Sequence, residues 1–174
     1  YPRNRIQRMR LICIYHDHCF DGPASPAWVS RFIRGVFYPD ATFHYTGMAH
    51  RAGQLVDDSL FDGDENAIVD FKYSTDDKRT WWFDHHQSAF LTPEDEAHFN
   101  AEKSDNKFLD ATRKSCTEFI ADIASTRFGF DAQPLADLIH WAHIIDGALY
   151  ESPAQCAQLQ PPAPPPTPRT DAHP

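Results

Sequence analysis

Four short apolar runs, each of strand length, are the feature that most constrains how this chain can fold. They are LICIYH (11–16), ATFHYT (41–46), AIVDF (67–71) and TWWFD (80–84). A helical pattern of apolar residues follows the first run, starting near Pro23 and ending near Gly35. Strands interleaved with helices predict an α/β fold with a mostly parallel sheet flanked by helices, a Rossmann-like arrangement.

Two further helices are predicted after residue 115. Ser115 and Glu118 stand three residues apart in a capping-box pattern, and apolar residues at helical spacing follow them. A second apolar pattern runs from Leu135 to Ile145, directly after Pro134. The sequence therefore ends its foldable part in two helices.

The two ends of the chain differ in composition from its middle. Arginines dominate the first ten residues, and seven of the 14 prolines fall within residues 161–174. We predict a flexible basic arm over 1–9, one domain over 10–152 and a Pro-rich, disordered tail over 153–174. The tail is interpreted as a linker, with a ligand for an aromatic-lined groove as the alternative.

Charge and composition exclude several classes of partner. The 174 residues carry 16 Lys and Arg against 25 Asp and Glu, a net charge of −9, which disfavours binding of long duplex nucleic acid. No apolar run approaches the roughly 20 residues of a membrane helix, and no signal-peptide pattern is present, so we expect no membrane partner and a cytoplasmic protein. The four scattered cysteines indicate reduced thiols. A homo-oligomer is left open.

Potential metal ligands stand at the ends of three of the four runs or directly after them. They are His16, Asp17, His18, Cys19 and Asp21 at and after the end of the first run, Asp70 near the end of the third, and Asp84, His85 and His86 at and after the end of the fourth. Ligands of open parallel sheets collect outside the carboxyl ends of the strands, so these side chains are expected to converge. Asp146 ends a predicted helix, where the helix dipole disfavours a carboxylate unless a cation lies nearby.

The mixture of carboxylate and imidazole predicts the kind of ion. Such ligands suit Mn²⁺, Fe²⁺, Co²⁺ or Mg²⁺. Two divalent ions bridged by a carboxylate can hold a hydroxide between them and stabilise both oxygens of a phosphoryl transfer. The sequence therefore indicates a pair of divalent ions at the strand ends.

Each feature alone has an ordinary structural explanation. Asp21 with the following glycine is typical of a turn and N-cap, and Asp70 of a loop carboxylate. Lys114, which precedes a helix start, is a candidate to bind phosphate, with solvated charge as the alternative. His140 and His143 fit an interfacial helix stripe better than a zinc site. Only the conjunction of ligand types at successive strand ends favours a metal centre.

Four motifs resemble, in order, those of the DHH phosphoesterase superfamily. They are YHDHCFDGPASPAW, IVDF, Asp84-His85-His86 and IIDGALY, and together they span residues 15–150. The first has the His-x-x-Cys-x-Asp-Gly form of the branch that contains oligoribonucleases and cyclic-nucleotide phosphodiesterases. The resemblance covers nearly the whole foldable chain.

The resemblance implies a role for each matched residue. Two divalent ions, usually Mn²⁺, would be held by His16, Asp21, Asp70, His85 and Asp146. Asp70 would bridge the ions and take part in catalysis, and His86 would contact the phosphate or donate a proton. Asp84 would orient His85, and Gly22 would let the first helix approach a phosphate closely.

Three departures from the family pattern stand out. Cys19 occupies a place where many members carry an aspartate; it is a possible ligand, or lines the turn while Asp17 or His18 compensates. Only residues 71–83 separate the second and third motifs, so the connection there must have a very short or irregular helix. The family's second domain, with its Gly-Gly-Gly-His segment, has no counterpart in the sequence.

The resulting hypothesis is a metal-dependent phosphodiesterase that hydrolyses short oligonucleotides or cyclic nucleotides through a metal-bridging hydroxide. One alternative is a truncated, catalytically idle domain that binds metal or acts as an interaction module. A second is an inorganic pyrophosphatase-like phosphohydrolase, although a basic second domain for pyrophosphate is missing.

Overall fold

The computed structural model describes residues 8–49, 55–131 and 133–158. Its centre is a five-stranded, all-parallel sheet in the order β2-β1-β3-β4-β5. The strands are β1 (Arg10–His16), β2 (Thr42–Met48), β3 (Glu65–Val69), β4 (Trp81–Asp84) and β5 (Lys107–Leu109). The predicted α/β fold with a parallel sheet flanked by helices is confirmed.

Besides the sheet, the described residues contain five α-helices and two short 3₁₀ turns. The helices are α1 (Asp21–Val36), α2 (Pro93–Ala101), α3 (Cys116–Phe128), α4 (Ala136–Asp146) and α5 (Pro153–Gln158). The 3₁₀ turns are Asp58–Leu60 and Gln133–Leu135. Within the described ranges, no helix combines the length and apolar character needed to cross a membrane.

The elements differ from the sequence prediction in five places. Strand β3 ends at Val69, so Asp70 lies beyond the strand, and β2 extends to Met48. Strand β5 and helix α2 were not predicted: β5 has three residues and α2 has a mostly polar sequence, so neither shows a periodic apolar signal. The segment Pro153–Gln158 is helical, which corrects the tail boundary at 153. Most of the predicted arm and tail (1–7 and 159–174) lies outside the described residues.

The two faces of the sheet carry separate hydrophobic cores. Leu11 and Cys13 of β1 pack with α1 and α3, whereas Ile12 and Ile14 point to the other face and pack among loop residues. This alternation follows from the two-residue period of a strand. The adjacent Trp81 and Trp82 are divided in the same way, and both are buried.

The connection from β3 to β4 contains no helix, whereas the short spacing between the second and third motifs predicted a very short or irregular one. Phe71 and Tyr73 are buried there and belong to the same hydrophobic core as Ile12 and Ile14. The buried Arg79 donates hydrogen bonds to the carbonyl of Ser74, to the Tyr73 hydroxyl and to Glu102 of the neighbouring segment. This network replaces the packing that a crossover helix would provide.

The strand order fixes where a ligand can bind. From β1 the chain passes to β2 on one side of the sheet and then to β3 on the other side. In a doubly wound sheet of this order, the crevice lies at the carboxyl ends of β1 and β3. His16 ends β1 and Asp70 directly follows β3, so both lie at the edge of this crevice.

Candidate metal centre

Side chains from four separate segments converge at the carboxyl ends of β1, β3 and β4. Three groups of three potential ligands each have donor atoms within 4.8 Å of one another. They are His16, Cys19 and Asp70; Asp70, His85 and His86; and Asp21, His85 and Asp146. All five residues that the family resemblance nominated as ligands belong to these groups, which could hold metal ions.

Asp70 stands at the centre of the site and joins two of the groups. Its Oδ2 atom lies 3.5 Å from the Cys19 sulfur and 4.0 Å from Nδ1 of His16. Its Oδ1 atom lies 3.3 Å from Nε2 of His85 and 3.8 Å from Nδ1 of His86. Each carboxylate oxygen therefore faces a different set of donors.

The backbone at Asp70 is in an unusual conformation. Its φ angle is 53°, in the left-handed region, and its N–H donates to the carbonyl of Phe83 on β4 at 2.9 Å. Aspartate tolerates this region better than most residues, at a cost of about 1–2 kcal/mol. The turn ends β3 abruptly and directs the carboxylate into the crevice, where the residue is 1% exposed.

His85 is held in the tautomer that suits metal binding. Its Nδ1 atom lies 3.3 Å from the carbonyl oxygen of Arg113, and because a carbonyl can only accept, Nδ1 carries the proton. The lone pair of the neutral ring is then at Nε2, 3.4 Å from Oδ2 of Asp146 and without a hydrogen-bond partner among the described residues. A backbone carbonyl commonly orients metal-binding histidines in this way.

Asp84 orients His86 rather than the ring of His85, which corrects the role inferred from the resemblance. Its Oδ1 atom accepts from Nδ1 of His86 at 2.7 Å and from the backbone N–H of His85 at 2.8 Å. The ring of His85 instead turns toward Arg113. The other carboxylate oxygen, Oδ2 of Asp84, is buried and has no partner among the described residues.

Asp21 is fully buried and ties α1 to the start of α3. Its carboxylate accepts from the backbone N–H groups of Cys116 at 2.5 Å and Thr117 at 3.0 Å. These are amides of the first turn of α3, which have no partner within that helix. Oδ2 of Asp21 also lies 3.7 Å from Nε2 of His85. The carboxylate is thus fixed in position beside the site.

Asp146 is the last residue of α4, as the sequence predicted. The following turn contains Ala148 with φ of 51°, and the N–H of Leu149 donates back to the carbonyl of Ile144. This sharp termination leaves the Asp146 carboxylate at the negative end of the helix dipole, beside His85. A cation in the crevice would relieve that unfavourable placement.

His16 and Cys19 form the other side of the crevice. The Cys19 sulfur lies 3.3 Å from Nδ1 of His16 and accepts from the backbone N–H of Gly22 at 3.2 Å. A Cβ atom on Gly22 would lie only 1.6 Å from the carbonyl oxygen of His16. Gly22 therefore permits the first turn of α1 to pack directly against the end of β1. Its predicted part in phosphate binding stays a prediction.

The remaining sequence-predicted residues lie outside the cluster. Asp17 and His18 are exposed; Nδ1 of His18 lies 3.2 Å from Oδ1 of Asp17, and the His18 ring meets that of His16 edge-on with centroids 6.0 Å apart. Lys114 is exposed beside Ser115, the N-cap of α3, and its part in phosphate binding stays a prediction. The expected capping box is half formed: Ser115 accepts from the Glu118 N–H, but the Glu118 carboxylate accepts from His143 at 2.8 Å.

The electrostatics of the site are those of crowded acids and imidazoles. Burial, with the nearby charge of Asp21, raises the pKa of Asp70 to about 6 and also raises the pKa of Asp146. Burial opposes protonation of His85, but the carboxylates of Asp70 and Asp21 outweigh it and raise its pKa to about 9. Burial and the neighbouring His86 lower the pKa of His16. In the absence of an ion, protons thus occupy the places where cations would bind.

The donor set fits a metal ion on a second count. Three buried atoms, Oδ1 of Asp70, Oδ2 of Asp84 and Nε2 of His85, have no hydrogen-bond partner in the described part of the chain. Buried polar atoms are rarely left unpaired in native structures, and a bound ion is one of the standard explanations. These residues can coordinate a divalent cation through oxygen and nitrogen.

Two elements of the site had no signal in the sequence. The carbonyl of Arg113 orients His85, and every residue has a carbonyl, so only the three-dimensional structure identifies it. The amides of Cys116 and Thr117, which fix Asp21, are equally generic. The contact between Asp84 and His86, in contrast, joins residues two apart and could have been considered from the sequence.

In comparisons with known proteins, no protein-family model matches the sequence and no curated protein matches it.

Proposed function

We propose that this protein is a metal-dependent phosphodiesterase that hydrolyses short oligonucleotides or cyclic nucleotides. The observation that carries the proposal is the position of Asp70, whose two oxygens face two different groups of donors. Such a carboxylate can bridge a pair of divalent ions. The order of the four motifs, which resembles that of the DHH phosphoesterases, supports a phosphoester as the substrate.

Each residue contributes a definite part to this function. Asp70 would hold both ions, with His16 on one side and Asp21, His85 and Asp146 on the other. When bound, the two metal ions would neutralise charge on the phosphoryl group and lower the pKa of water. Mn²⁺ is the first candidate, and Mg²⁺, Co²⁺ and Fe²⁺ are the others. The Asp84 carboxylate raises the pKa of His86 against the effect of burial and fixes Nδ1. His86 would then exchange a proton with the leaving oxygen through Nε2.

A phosphodiester is favoured over pyrophosphate by the charges near the site. Pyrophosphate carries more negative charge than a phosphodiester and needs several cationic side chains besides the ions. Arg113, beside the site, is committed to Asp110 at 3.1 Å and Asp122 at 2.5 Å. The net charge of −9 also suits a short substrate that carries few phosphates.

The experiment compares three substrates with the same Mn²⁺-loaded protein: a dinucleotide, a cyclic dinucleotide and pyrophosphate. We expect cleavage of the dinucleotide or the cyclic dinucleotide above the rate of Mn²⁺ alone. The variant Asp70→Asn should lose at least about 100-fold in rate, whereas the exposed Asp77→Asn should match the wild type.

Three results would contradict the proposal. Preferred release of phosphate from pyrophosphate would favour the pyrophosphatase alternative. Tight Mn²⁺ binding without cleavage of either nucleotide would favour the catalytically idle domain. Cleavage that survives in Asp70→Asn would show that the reaction does not use this site.

A further inference from the structure

We infer that Cys19 is a metal ligand, so that the half of the site formed by His16, Cys19 and Asp70 binds a thiophilic ion such as Zn²⁺ or Co²⁺ in preference to Mn²⁺ or Mg²⁺. This inference rests on the metal site of the proposed function and concerns the identity of one ion within it. Cys19 would thus take the place of the aspartate expected at this position, with a softer sulfur ligand instead of a carboxylate oxygen.

The distances among the three donors agree with one shared ion. The Cys19 sulfur lies 3.3 Å from Nδ1 of His16 and 3.5 Å from Oδ2 of Asp70, and these two atoms are 4.0 Å apart. Zinc bonds are about 2.3 Å to sulfur and 2.0–2.2 Å to nitrogen or oxygen, so neighbouring donors of a tetrahedral ion lie about 3.4–3.6 Å apart. Small side-chain rotations bring the observed triangle to that geometry.

The burial of Asp70 also agrees with a cation here. Asp70 is 1% exposed, and its Oδ2 faces the Cys19 sulfur and His16, whereas its Oδ1 faces His85 and His86 in the other half of the site. A buried carboxylate oxygen and the thiol thus meet in one group with an imidazole nitrogen. An ion bound by both would satisfy the carboxylate and take the place of the thiol proton, which passes to solvent.

Without an ion, burial and the carboxylates of Asp70, Asp146 and Asp21 raise the pKa of the Cys19 thiol to about 12, so a bound cation is needed to make it a thiolate. The backbone N–H of Gly22 donates to the sulfur at 3.2 Å, which favours negative charge there. The same hydrogen bond would be made by a cysteine that only caps the first turn of α1. The two roles differ in one respect: serine can accept the Gly22 N–H as a cap, but its neutral hydroxyl is a poor substitute for a thiolate ligand.

Cobalt(II) absorption separates the two roles in the intact chain. With Co²⁺ as the probe, the wild type should show a sulfur-to-cobalt charge-transfer band in the near ultraviolet. Cys19→Ser should lack the band and bind Co²⁺ at least about 10-fold more weakly. Substituting a residue that only hydrogen-bonds to a metal ligand already costs about that much in affinity. Cys156→Ser, which removes the exposed cysteine of α5, should keep both.

A measurement on the wild type makes the test independent of how the variant folds. Bound Zn²⁺ should protect the half-buried Cys19 from alkylation in peptide mapping by mass spectrometry, while the exposed Cys156 reacts equally with and without the ion. Alkylation of Cys19 at the same rate in both states would overturn the inference.

The other outcomes are also decisive. Bound Co²⁺ with ligand-field absorption but no charge-transfer band would mean that Cys19 only caps α1, and no Co²⁺ binding at all would overturn both the inference and the metal site. A charge-transfer band in a loaded protein that cleaves no phosphodiester would instead contradict the proposed function alone.

Discussion

The Nε2 atom of His85 lies 3.3 Å from Oδ1 of Asp70, and both atoms are buried without a hydrogen-bond partner among the described residues. A divalent ion placed between such groups needs His85 neutral and Asp70 ionised. Because burial and the surrounding charges raise the pKa of His85 to about 9, a proton competes with the ion at neutral pH.

Affinity for Mn²⁺ should therefore increase with pH. Below about 9, the raised pKa of His85, binding must displace one proton from that ring, so the affinity should rise about tenfold per pH unit up to that pH. Below the raised pKa of Asp70, about 6, a second proton adds to the slope. Calorimetric titration with Mn²⁺ across this range, in buffers that do not bind the ion, measures the dependence. A flat profile would contradict the placement of His85 in the site.

Asp84→Asn should separate proton transfer from metal binding. Asparagine keeps an acceptor oxygen for the His85 N–H but removes the charge that raises the pKa of His86. We expect the pKa of His86 to fall, the rate of phosphodiester cleavage to fall about 10- to 100-fold, and Mn²⁺ affinity to change less than the rate. Imidazole titration by NMR checks the first expectation, and steady-state kinetics checks the second. An unchanged pKa of His86 would show that the Asp84 contact does not control this ring.

Gly22→Ala tests the close packing of α1 against β1. The added Cβ would lie 1.6 Å from the His16 carbonyl oxygen, so helix and strand must separate, and we expect a loss of about 3 kcal/mol or more in the free energy of unfolding. Because the Gly22 N–H also holds Cys19, metal affinity should fall with stability.

Gly129→Ala is the matched control for that substitution. Gly129 ends α3 with φ of 65° and has nothing within 4 Å of an added Cβ. Only the cost of the left-handed conformation applies there, about 1–2 kcal/mol, and the metal site should be unaffected. Denaturant unfolding of both variants measures the difference, and equal losses would contradict the steric explanation at Gly22.

The fold was predictable from the sequence to the extent that its elements carry apolar patterns. The strand that ends at His16 and the helices after Pro23 and Ser115 are long enough for the periodicity of their buried residues to be visible. Strand β5 has three residues and takes its stability from pairing with β4, which a single sequence does not reveal. Tertiary contacts therefore decide the elements that local patterns leave undetermined.

The candidate site was predictable in its members but not in its hydrogen bonds. His16, Asp70 and His85 follow strands in sequence, and the topology rule places strand ends together. Their hydrogen-bond partners could not be predicted in the same way. The Arg113 carbonyl and the α3 amides lie far from these residues in sequence, and the hydrogen bond from His86 to Asp84 depends on the turn after β4.

The metal content of the protein tests the central claim most directly. The full chain is equilibrated with Co²⁺, which suits the ligands of both halves of the site, and passed over a desalting column, and the bound metal per chain is measured by elemental analysis, for wild type, Asp70→Asn and the exposed-site control Asp77→Asn. With Asp70 as the shared ligand, wild type and control should retain two ions per chain and Asp70→Asn one or none. Equal metal in all three proteins, or no metal in the wild type, would contradict a metal centre built around Asp70.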